Sequence, residues 1–277
     1  MKTTKLFFAS MLFMISFILS GCNHFHDNFN DTPPTSPKNV TTLNGDNRVD
    51  VYWDSNPERD IAGYNIYYSY SYDGKYKLIG NSTNTHYIDY GANNGTTYYY
   101  AVTAYNFNGL ESDLSRDVVY STPRPEGFNQ AVFDYLTSPN NSGYSFRKYL
   151  VVPYNDAESD FFFENSNGNF YIDVWGTDTD IQDMGMTNDI YDISYAPSSG
   201  WIPLKQSDNI KYASAIVGHT YVIWTADNNY AKIRIKSITN QRMVFDWSYQ
   251  LVAGNRELKR ANVHSPRTVP DKVIRQY

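Results

Sequence analysis

The chain of 277 residues has a single cysteine, no excess of basic residues and no common catalytic motif. One cysteine excludes an internal disulfide. A formal net charge of −6 provides no basic stripe to neutralise phosphates, so nucleic acid is not an expected partner. Gly-x-Ser-x-Gly, His-Glu-x-x-His and a phosphate-binding loop are all missing, and we therefore expect no enzymatic activity.

The sequence also lacks a membrane-spanning length of apolar residues at its N-terminus. The apolar run there covers residues 6–19, which is fourteen residues, whereas a spanning helix needs about 20. Lys2 and Lys5 precede the run. A basic start followed by a short apolar stretch is typical of a signal peptide, which we predict over residues 1–21.

The signal segment ends in Leu19-Ser20-Gly21-Cys22. This tetrapeptide resembles a bacterial lipobox, although an ordinary signal peptide followed by a chance cysteine is the alternative. The resemblance implies that palmitate-type acyl chains are attached to Cys22 and that the chain is cleaved before it. The membrane is then a partner through the lipid anchor. Asn23 stands where an aspartate retains such proteins at the inner membrane, so the resemblance implies the outer membrane.

Two charged or polar segments flank the regular part of the chain. Residues 22–35 are rich in asparagine and end in proline, which predicts a flexible tether. His24 and His26 within it have no third ligand, so we expect no metal there. Residues 254–277 carry six basic and two acidic residues without a hydrophobic period, and are interpreted as a basic tail.

The abundance of tyrosine, 26 residues, within 17% aromatic residues favours strands and predicts an all-β protein. Apolar residues alternate with polar ones in short runs bounded by turn residues, for example in "RVDVYWD" and "GYNIYYS". With "NGTTYYYAVTAYNFNGLES", these runs resemble a fibronectin type III domain over residues 36–123. The resemblance implies an immunoglobulin-like sandwich in which Tyr98 is the tyrosine corner.

The tyrosine run at residues 98–100 divides between two faces of one predicted strand. Alternation places Tyr98 and Tyr100 in the core together with Val102 and Ala104. Tyr99 then faces outward. Its neighbours in a predicted aromatic patch are Tyr67, Tyr70, Tyr72 and Tyr105, which we interpret as cross-strand packing in preference to a binding surface.

A proline-rich stretch, "STPRPEG" at residues 121–127, marks a domain boundary. We predict a second β-rich domain over residues 127–253. One short helix is expected at its start, because apolar residues recur at helical intervals over residues 128–136. Asn167-Gly168 predicts a hairpin turn. Residues 220–250 predict a three-stranded meander in which Lys232, Arg234 and Lys236 form a solvated basic row.

The predicted strand "NFYIDVW" provides the candidate ligand site. Tyr171, Asp173 and Trp175 share the face opposite Phe170, Ile172 and Val174. Two aromatic rings that flank a carboxylate could hold a sugar. Burial of the same three side chains under another layer is the alternative.

Carboxylates concentrate in the segment that follows, residues 176–192. Calcium needs six to eight oxygens that converge from a loop. The spacing departs from an EF-hand, since Asp183 stands at the position of the required glycine. A solvated acidic loop is one interpretation and a calcium site is the other, with these candidate ligands: Asp178, Asp180, Asp183 and Asp189.

Residues 217–250 resemble β-rich envelope lipoprotein domains of the HmuY-like type, whose relatives carry haem. Haem would require axial histidine or methionine ligands. The sequence offers candidates but no pattern that pairs them, so no haem or other cofactor is expected. The candidates are Met184, Met186, His219, Met243 and His264.

These observations predict a lipid-anchored protein of the cell envelope with a non-catalytic binding or structural role, in contact with another envelope protein or as a spacer in an assembly. The alternative is a carbohydrate-binding accessory protein of a glycan-uptake or glycan-degradation system. The two differ in whether the second domain binds a glycan.

Overall fold

The computed structural model describes residues 32–117, 119–205 and 208–258. These residues form seventeen β-strands and, as their only helical element, one 3₁₀ turn at Pro139–Asn141. The predicted all-β class is confirmed. Within this described part, no helix has the length and the apolar character needed to cross a membrane. The signal peptide, Cys22, the histidine pair and most of the basic tail lie outside the described residues.

The first seven strands form two antiparallel sheets that face each other. One sheet has the order β1-β2-β5 and the other the order β4-β3-β6-β7. This three-plus-four arrangement is the fibronectin type III sandwich, and that prediction is confirmed. The strands are β1 (Thr41–Gly45), β2 (Arg48–Tyr52), β3 (Ile61–Ser69), β4 (Lys77–Ser82), β5 (His86–Asp89), β6 (Tyr98–Asn106) and β7 (Val119–Ser121). We call them the first unit.

The tyrosine run lies on β6 as the alternation predicts. Tyr98 and Tyr100 are buried in the core between the sheets. The Tyr98 hydroxyl accepts a hydrogen bond of 2.9 Å from the backbone N–H of Asn93, which is the contact of a tyrosine corner. The Tyr100 hydroxyl donates to Asp89 at 2.8 Å. Both rings are therefore structural.

The opposite face of β6 is also covered, which the alternation does not predict. Ala101 and Thr103 are fully buried there. The long connection from β6 to β7 folds over this face, where Leu114 packs and Glu111 accepts hydrogen bonds from the hydroxyls of Thr103 and Tyr67. Tyr67 is consequently part of a small second core and does not belong to an exposed patch.

Strands β1 and β7 lie side by side although they belong to different sheets. The Thr42 hydroxyl donates to the carbonyl of Tyr120 at 3.1 Å, and the Asn44 amide donates to the carbonyl of Thr122 at 2.7 Å. Two residues further along β1, the bonded partner is also two residues further along the segment of β7, so the two segments run parallel. These side-chain bonds close the edge of the sandwich.

The remaining strands form a second sandwich, which we call the second unit. Its sheets have the orders β10-β9-β11-β12-β14 and β13-β15-β16-β17-β8 and enclose one large core. The strands are β8 (Glu126–Phe133), β9 (Gly143–Ser145), β10 (Leu150–Val152), β11 (Phe161–Ser166), β12 (Asn169–Trp175), β13 (Asp180–Met186), β14 (Ile210–Ser214), β15 (His219–Trp224), β16 (Tyr230–Ile238) and β17 (Arg242–Tyr249).

Two predicted connections of the second unit are confirmed. Strands β11 and β12 pair up to Ser166 opposite Asn169, and Asn167 and Gly168 between them both have positive φ, 53° and 85°. A two-residue turn of this kind matches the twist of a hairpin. Strands β15, β16 and β17 form the predicted antiparallel meander.

The helix predicted over residues 128–136 is wrong, because Glu126–Phe133 is strand β8 at the edge of a sheet. Gly127 lies opposite Trp247 and Gln130 opposite Phe245, so β8 takes three steps where β17 takes two. The extra residue is a bulge, and Asn129 in it has a φ of 55°. Across the bulge, Phe128 faces outward and Val132 faces inward. Their spacing of four residues is the one that the sequence analysis interpreted as a helical interval.

The prediction of a solvated basic row on β16 is also wrong. Lys232 is fully buried and its ammonium group donates to the carbonyl of Ile193 at 2.9 Å. The guanidinium of Arg234 donates to the carbonyl of Thr187 at 2.8 Å. Residues 187–202 and 256–258 cover this face of the sheet, and Leu258 packs there against apolar side chains. The cations satisfy carbonyls of that covering segment.

The connection between the units is buried throughout residues 121–125. Its backbone bonds to both sides: the carbonyl of Pro123 accepts from Gly95 at 2.9 Å, and that of Pro125 accepts from Tyr249 at 2.9 Å. The Arg124 side chain donates to the Ser248 hydroxyl at 3.0 Å and to the Glu257 carbonyl at 3.4 Å. Burial lowers the pKa of Arg124 to about 10, while the nearby Glu257 charge acts in the opposite direction.

We expect Arg124→Ala to uncouple the two units. Loss of a buried charge that lies among carboxylates costs about 3–5 kcal/mol, and the substitution also removes the hydrogen bonds to Ser248 and Glu257. The single thermal transition expected for the wild-type protein should split into two by differential scanning calorimetry. Arg116→Ala, at an exposed position of the first unit, is the control and should leave one transition. An undivided transition in Arg124→Ala would show that the connection does not couple the units.

Candidate functional site

A cavity of about 410 Å³ opens at one end of the second unit. Four connections between strands build it, together with the end of β12. They are the turn between β9 and β10, which contributes Arg147, the segment 155–160 before β11, residues 177–179 after β12, and the turn between β15 and β16 at residues 226–227. Binding sites are often formed in this way, by loops held on a rigid scaffold.

Trp175 forms the aromatic wall of the cavity. It is the last residue of β12 and is half-buried. Its ring is tilted by 45° to that of Phe162 on the neighbouring strand, with 5.6 Å between the centroids. Because Phe162 is itself buried, it supports the indole from behind. A fixed, partly exposed indole offers an apolar surface for a ligand ring.

Carboxylates line the rest of the cavity. Three of them have basic partners: Asp227 lies 3.4 Å from the Arg147 guanidinium, and the Lys148 ammonium lies 3.1 Å from Glu158 and 3.9 Å from Asp156. Among the residues that the structure describes, Arg147 is the only basic one in the lining of the cavity. The acidic lining residues are Asp156, Glu158, Asp160, Asp178 and Asp227.

Asp160 has the most perturbed carboxyl group of the cavity. Its Oδ2 accepts a hydrogen bond of 2.7 Å from the backbone N–H of Phe146. Burial nevertheless raises the pKa of Asp160 to about 7, and the charges of Asp227, Glu158 and Asp178 act in the same direction. At neutral pH this group is therefore divided between its protonated and ionised forms.

The cavity lies at the end of the second unit where the connection to the first unit enters. Tyr230 directly follows the turn between β15 and β16, and its carbonyl accepts a hydrogen bond from the N–H of Gln250. The preceding residue, Tyr249, donates to the carbonyl of Pro125 in the connection, so the turn and the connection lie at the same end of the sheet. Tyr149, on the turn that also holds Arg147, stacks on Trp247 at 5.6 Å. Burial raises the pKa of Tyr149, and the Asp46 charge of the first unit contributes to the rise.

The structure brings only one of the three candidate ligand residues into the cavity. Trp175 lines it, whereas Tyr171 packs edge-on against Tyr212 with 5.4 Å between centroids. Asp173 is 2% exposed, since the outer face of β12 is covered near Tyr135. Burial raises the pKa of Asp173 to about 8, and the neighbouring Glu164 raises it further. A shared role of these three residues in ligand binding stays a prediction.

The candidate calcium ligands face separate partners. Asp178 lines the cavity. Asp180 bonds to the Lys211 ammonium at 2.6 Å, Asp183 lies 3.0 Å from Nδ1 of His219, and Asp189 accepts from the N–H of Tyr191 at 2.6 Å. Within the described ranges, no group of three or more histidine, cysteine, aspartate or glutamate side chains is arranged to hold a metal ion. Calcium binding stays a prediction that this geometry does not favour.

The candidate haem ligands also lie apart. Met243 is buried in the main core of the second unit, Met186 is 69% exposed, and His219 contacts Asp183. His264 lies outside the described residues. The HmuY-like resemblance stays a prediction.

Sequence reasoning missed Asp160 and the residues that surround it. A signal was present, since Asp156, Glu158 and Asp160 alternate directly before the apolar run Phe161–Phe163. Alternating carboxylates at the start of a buried strand indicate a polar site at the end of a sheet. The sequence pattern does not show that Trp175 and Asp227 line the same cavity as Asp160 in the folded chain.

Comparison with known proteins identifies partial relatives. No protein-family profile matches the chain. The chain is 34% identical over 129 residues to an amylopullulanase of Thermoanaerobacterium saccharolyticum, in a match that covers 44% of this chain and 10% of the enzyme. A second amylopullulanase, of Thermoanaerobacter thermohydrosulfuricus, is 40% identical over 88 residues, which is 30% of this chain and 6% of the enzyme. The chain spans a tenth or less of the length of these relatives.

Solved structures resemble parts of the chain. A Fn3-like protein of Clostridium thermocellum is 28% identical, with a TM-score of 0.29, over 35% of this chain and all of that protein. A DUF4466 family protein of Parabacteroides merdae is 11% identical, with a TM-score of 0.37, over 81% of this chain and 96% of that protein.

We expect Asp160→Asn to change how stability depends on pH. The folded pKa of about 7 lies above the unfolded value, which is about 3.9. The folded state therefore keeps a proton that the unfolded state loses, so this group lowers stability as pH rises from about 4 to about 7. The variant removes the penalty and should be more stable than the wild type by about 2–4 kcal/mol at pH 8.

Urea unfolding at pH 4.5 and pH 8 measures this effect. The advantage of Asp160→Asn should be small at the lower pH and full at the higher. Asp73→Asn is the control, since this aspartate of the first unit is exposed and its charge is not among those that act on Asp160, and it should show no such dependence on pH. Equal differences from the wild type at both pH values would contradict a raised pKa of Asp160.

Proposed function

We propose that this chain is a non-catalytic carbohydrate-binding protein, held at the outer membrane of the cell envelope by lipid on Cys22. The observation that carries the proposal is the Trp175 ring on the wall of a cavity of about 410 Å³ whose other walls are polar. A sugar presents an apolar face of C–H groups and an edge of hydroxyl groups. The indole suits the face, and the surrounding carboxylates accept hydrogen bonds from the hydroxyls.

The partial relatives support a carbohydrate ligand. They are amylopullulanases, whose name refers to action on pullulan, and the similarity covers a small part of each enzyme. Such a segment is consistent with an accessory region of a glycan-active protein. The first unit, a fibronectin type III sandwich, then positions the second unit away from the membrane.

The cavity also supports a role without catalysis. Glycoside hydrolysis requires an acid and a second carboxylate that acts as base or nucleophile. Of the five carboxylates in the cavity, Asp227, Glu158 and Asp156 have basic partners, and Asp160 accepts a backbone hydrogen bond. Hydrolysis of a bound oligosaccharide that is abolished in Asp160→Asn would overturn this part of the proposal.

Protein binding or a spacer role in an assembly is the second candidate function. The observation that favours it is the buried connection, through which the two units contact each other around Arg124. A spacer must hold its two ends in a fixed relative position, and a buried connection restricts the movement of one unit relative to the other. Co-purification of one envelope protein in stoichiometric amount, with no glycan binding, would favour this candidate.

We expect Trp175→Ala to abolish glycan binding by the intact protein on a glycan array. Truncation of an aromatic residue at the centre of a binding site costs about 2 kcal/mol, which weakens binding about 30-fold. Trp201→Ala is the matched control, because Trp201 is a half-buried tryptophan of the same unit that packs on Trp224 and Tyr230 outside the cavity. Glycan binding that survives Trp175→Ala and is lost in Trp201→Ala would overturn the proposed site.

We expect Cys22→Ser to release the protein from the membrane fraction. The thiol is the acceptor of the lipid, and several buried acyl chains are needed for firm anchoring, at about 0.8 kcal/mol per CH₂ group. Labelling with a radioactive fatty acid should mark the wild type and not the variant. A variant that sediments with membranes as the wild type does would contradict the lipid anchor.

A further inference from the structure

The charge of the cavity indicates more about its ligand than the tryptophan does. Five carboxylates and one guanidinium line it. The Lys148 ammonium also lies beside Glu158 and Asp156. Even when Asp160 is counted as neutral, four carboxylates remain against these two cations. An anionic ligand, such as a uronic acid or a sulfated sugar, would meet like charges at close range, and a neutral ligand would leave them uncompensated.

Two carboxylates of the cavity have no cation of their own. Among the residues that the structure describes, no ion pair includes Asp160 or Asp178. The other three carboxylates have basic partners: Asp227 pairs with Arg147, and Glu158 and Asp156 share Lys148 at 3.1 Å and 3.9 Å. Asp160 and Asp178 are thus the two carboxyl groups of the cavity without a basic partner.

Asp160 and Asp178 line the same cavity. The Asp178 charge contributes to the raised pKa of Asp160, together with the charges of Asp227 and Glu158. A cation between two such carboxylates would relieve their repulsion and favour the ionised form of Asp160. Trp175 lines the same cavity, so a ligand that stacks on the indole also reaches these oxygens.

We propose that the ligand of the cavity is an amino sugar, whose protonated primary amine lies between Asp160 and Asp178 while its ring stacks on Trp175. This inference rests on the proposed carbohydrate-binding function and gives the class of sugar. An ammonium group supplies three donors. Its charge-assisted hydrogen bonds to carboxylates are stronger than the bonds that a sugar hydroxyl makes.

A metal ion fits the cavity less well than an ammonium group. Calcium takes six to eight oxygen ligands at 2.3–2.6 Å, and in the described residues no three histidine, cysteine, aspartate or glutamate side chains are arranged to hold a metal ion. An ammonium group needs only two or three acceptors and keeps its remaining contacts with water. The two carboxylates therefore match its requirements.

Isothermal titration calorimetry of the intact protein at pH 6.5 tests the inference. The probes are glucosamine oligomers, their N-acetylated counterparts, glucose oligomers of equal length, and a trilysine peptide. Acetylation removes the charge of the amine and keeps the ring. We expect the glucosamine oligomer to bind about 10-fold or more tightly than the acetylated one, since a hydrogen bond to a charged group contributes about 1.5–3 kcal/mol.

Asp178→Asn is the test variant, because Asp178 is exposed and its substitution leaves the core intact. It should lose the preference for the free amine, which is measured as the ratio of the affinities for the glucosamine and acetylated oligomers. Asp73→Asn, an exposed aspartate of the first unit, is the control with the same change in net charge and should retain the preference.

The remaining outcomes separate the inference from the proposed function. Equal affinity for the glucosamine and acetylated oligomers would overturn the inference and leave carbohydrate binding in place. Binding of trilysine as tight as that of the glucosamine oligomer would overturn the sugar part of the inference. If no oligosaccharide binds, both the inference and the proposed function are wrong.

Discussion

The burial of Arg124 between the two sandwiches is the contact on which the arrangement of the molecule depends. A guanidinium removed from water is costly unless its donors are satisfied. Here Ser248 and the carbonyl of Glu257 accept them, and the carboxylates of Glu257 and Glu126 supply opposite charge. None of these partners belongs to the first unit, so the connection is held by the second unit while its backbone bonds to Gly45 of the first. The composition of residues 121–127 predicts an exposed linker, but residues 121–125 are buried between the two units.

The same principle explains the second sheet of the second unit. Lys232 and Arg234 alternate with apolar residues as exposed residues of a strand do, yet both donate to carbonyls of the segment that covers them. Carbonyls in an irregular segment need donors when they are buried. Long basic side chains supply these donors and fill space with their methylene groups. Both faces of β16 are thus occupied in its first half, up to Ile235.

Local pattern was sufficient to predict the strands and the hairpin at Asn167-Gly168, because each depends on neighbours in sequence or on a fixed period. The tyrosine corner followed from the resemblance to fibronectin type III domains. It failed where distant segments cover a strand, as at Thr103 and Lys232, and where the bulge at Asn129 changed the period of β8. The cavity was predictable only in part. Trp175 could be chosen from its strand, but Asp160 and Asp227 come from connections whose proximity depends on the closed sandwich. Asp173 lies on the same face of β12 as Trp175, but it is buried and does not line the cavity.

The parallel contact of β1 and β7 has a mechanical consequence under the lipid anchor that we propose at Cys22. The anchor precedes β1 and the second unit follows β7, so a load on the second unit pulls these two segments in opposite directions along their common axis. The hydrogen bonds from Thr42 to Tyr120 and from Asn44 to Thr122 are then stretched together in shear, not opened one after another. Bonds that share a load resist it better than bonds that open in sequence. In the arrangement that we propose, the first unit therefore resists a load that acts on the second unit.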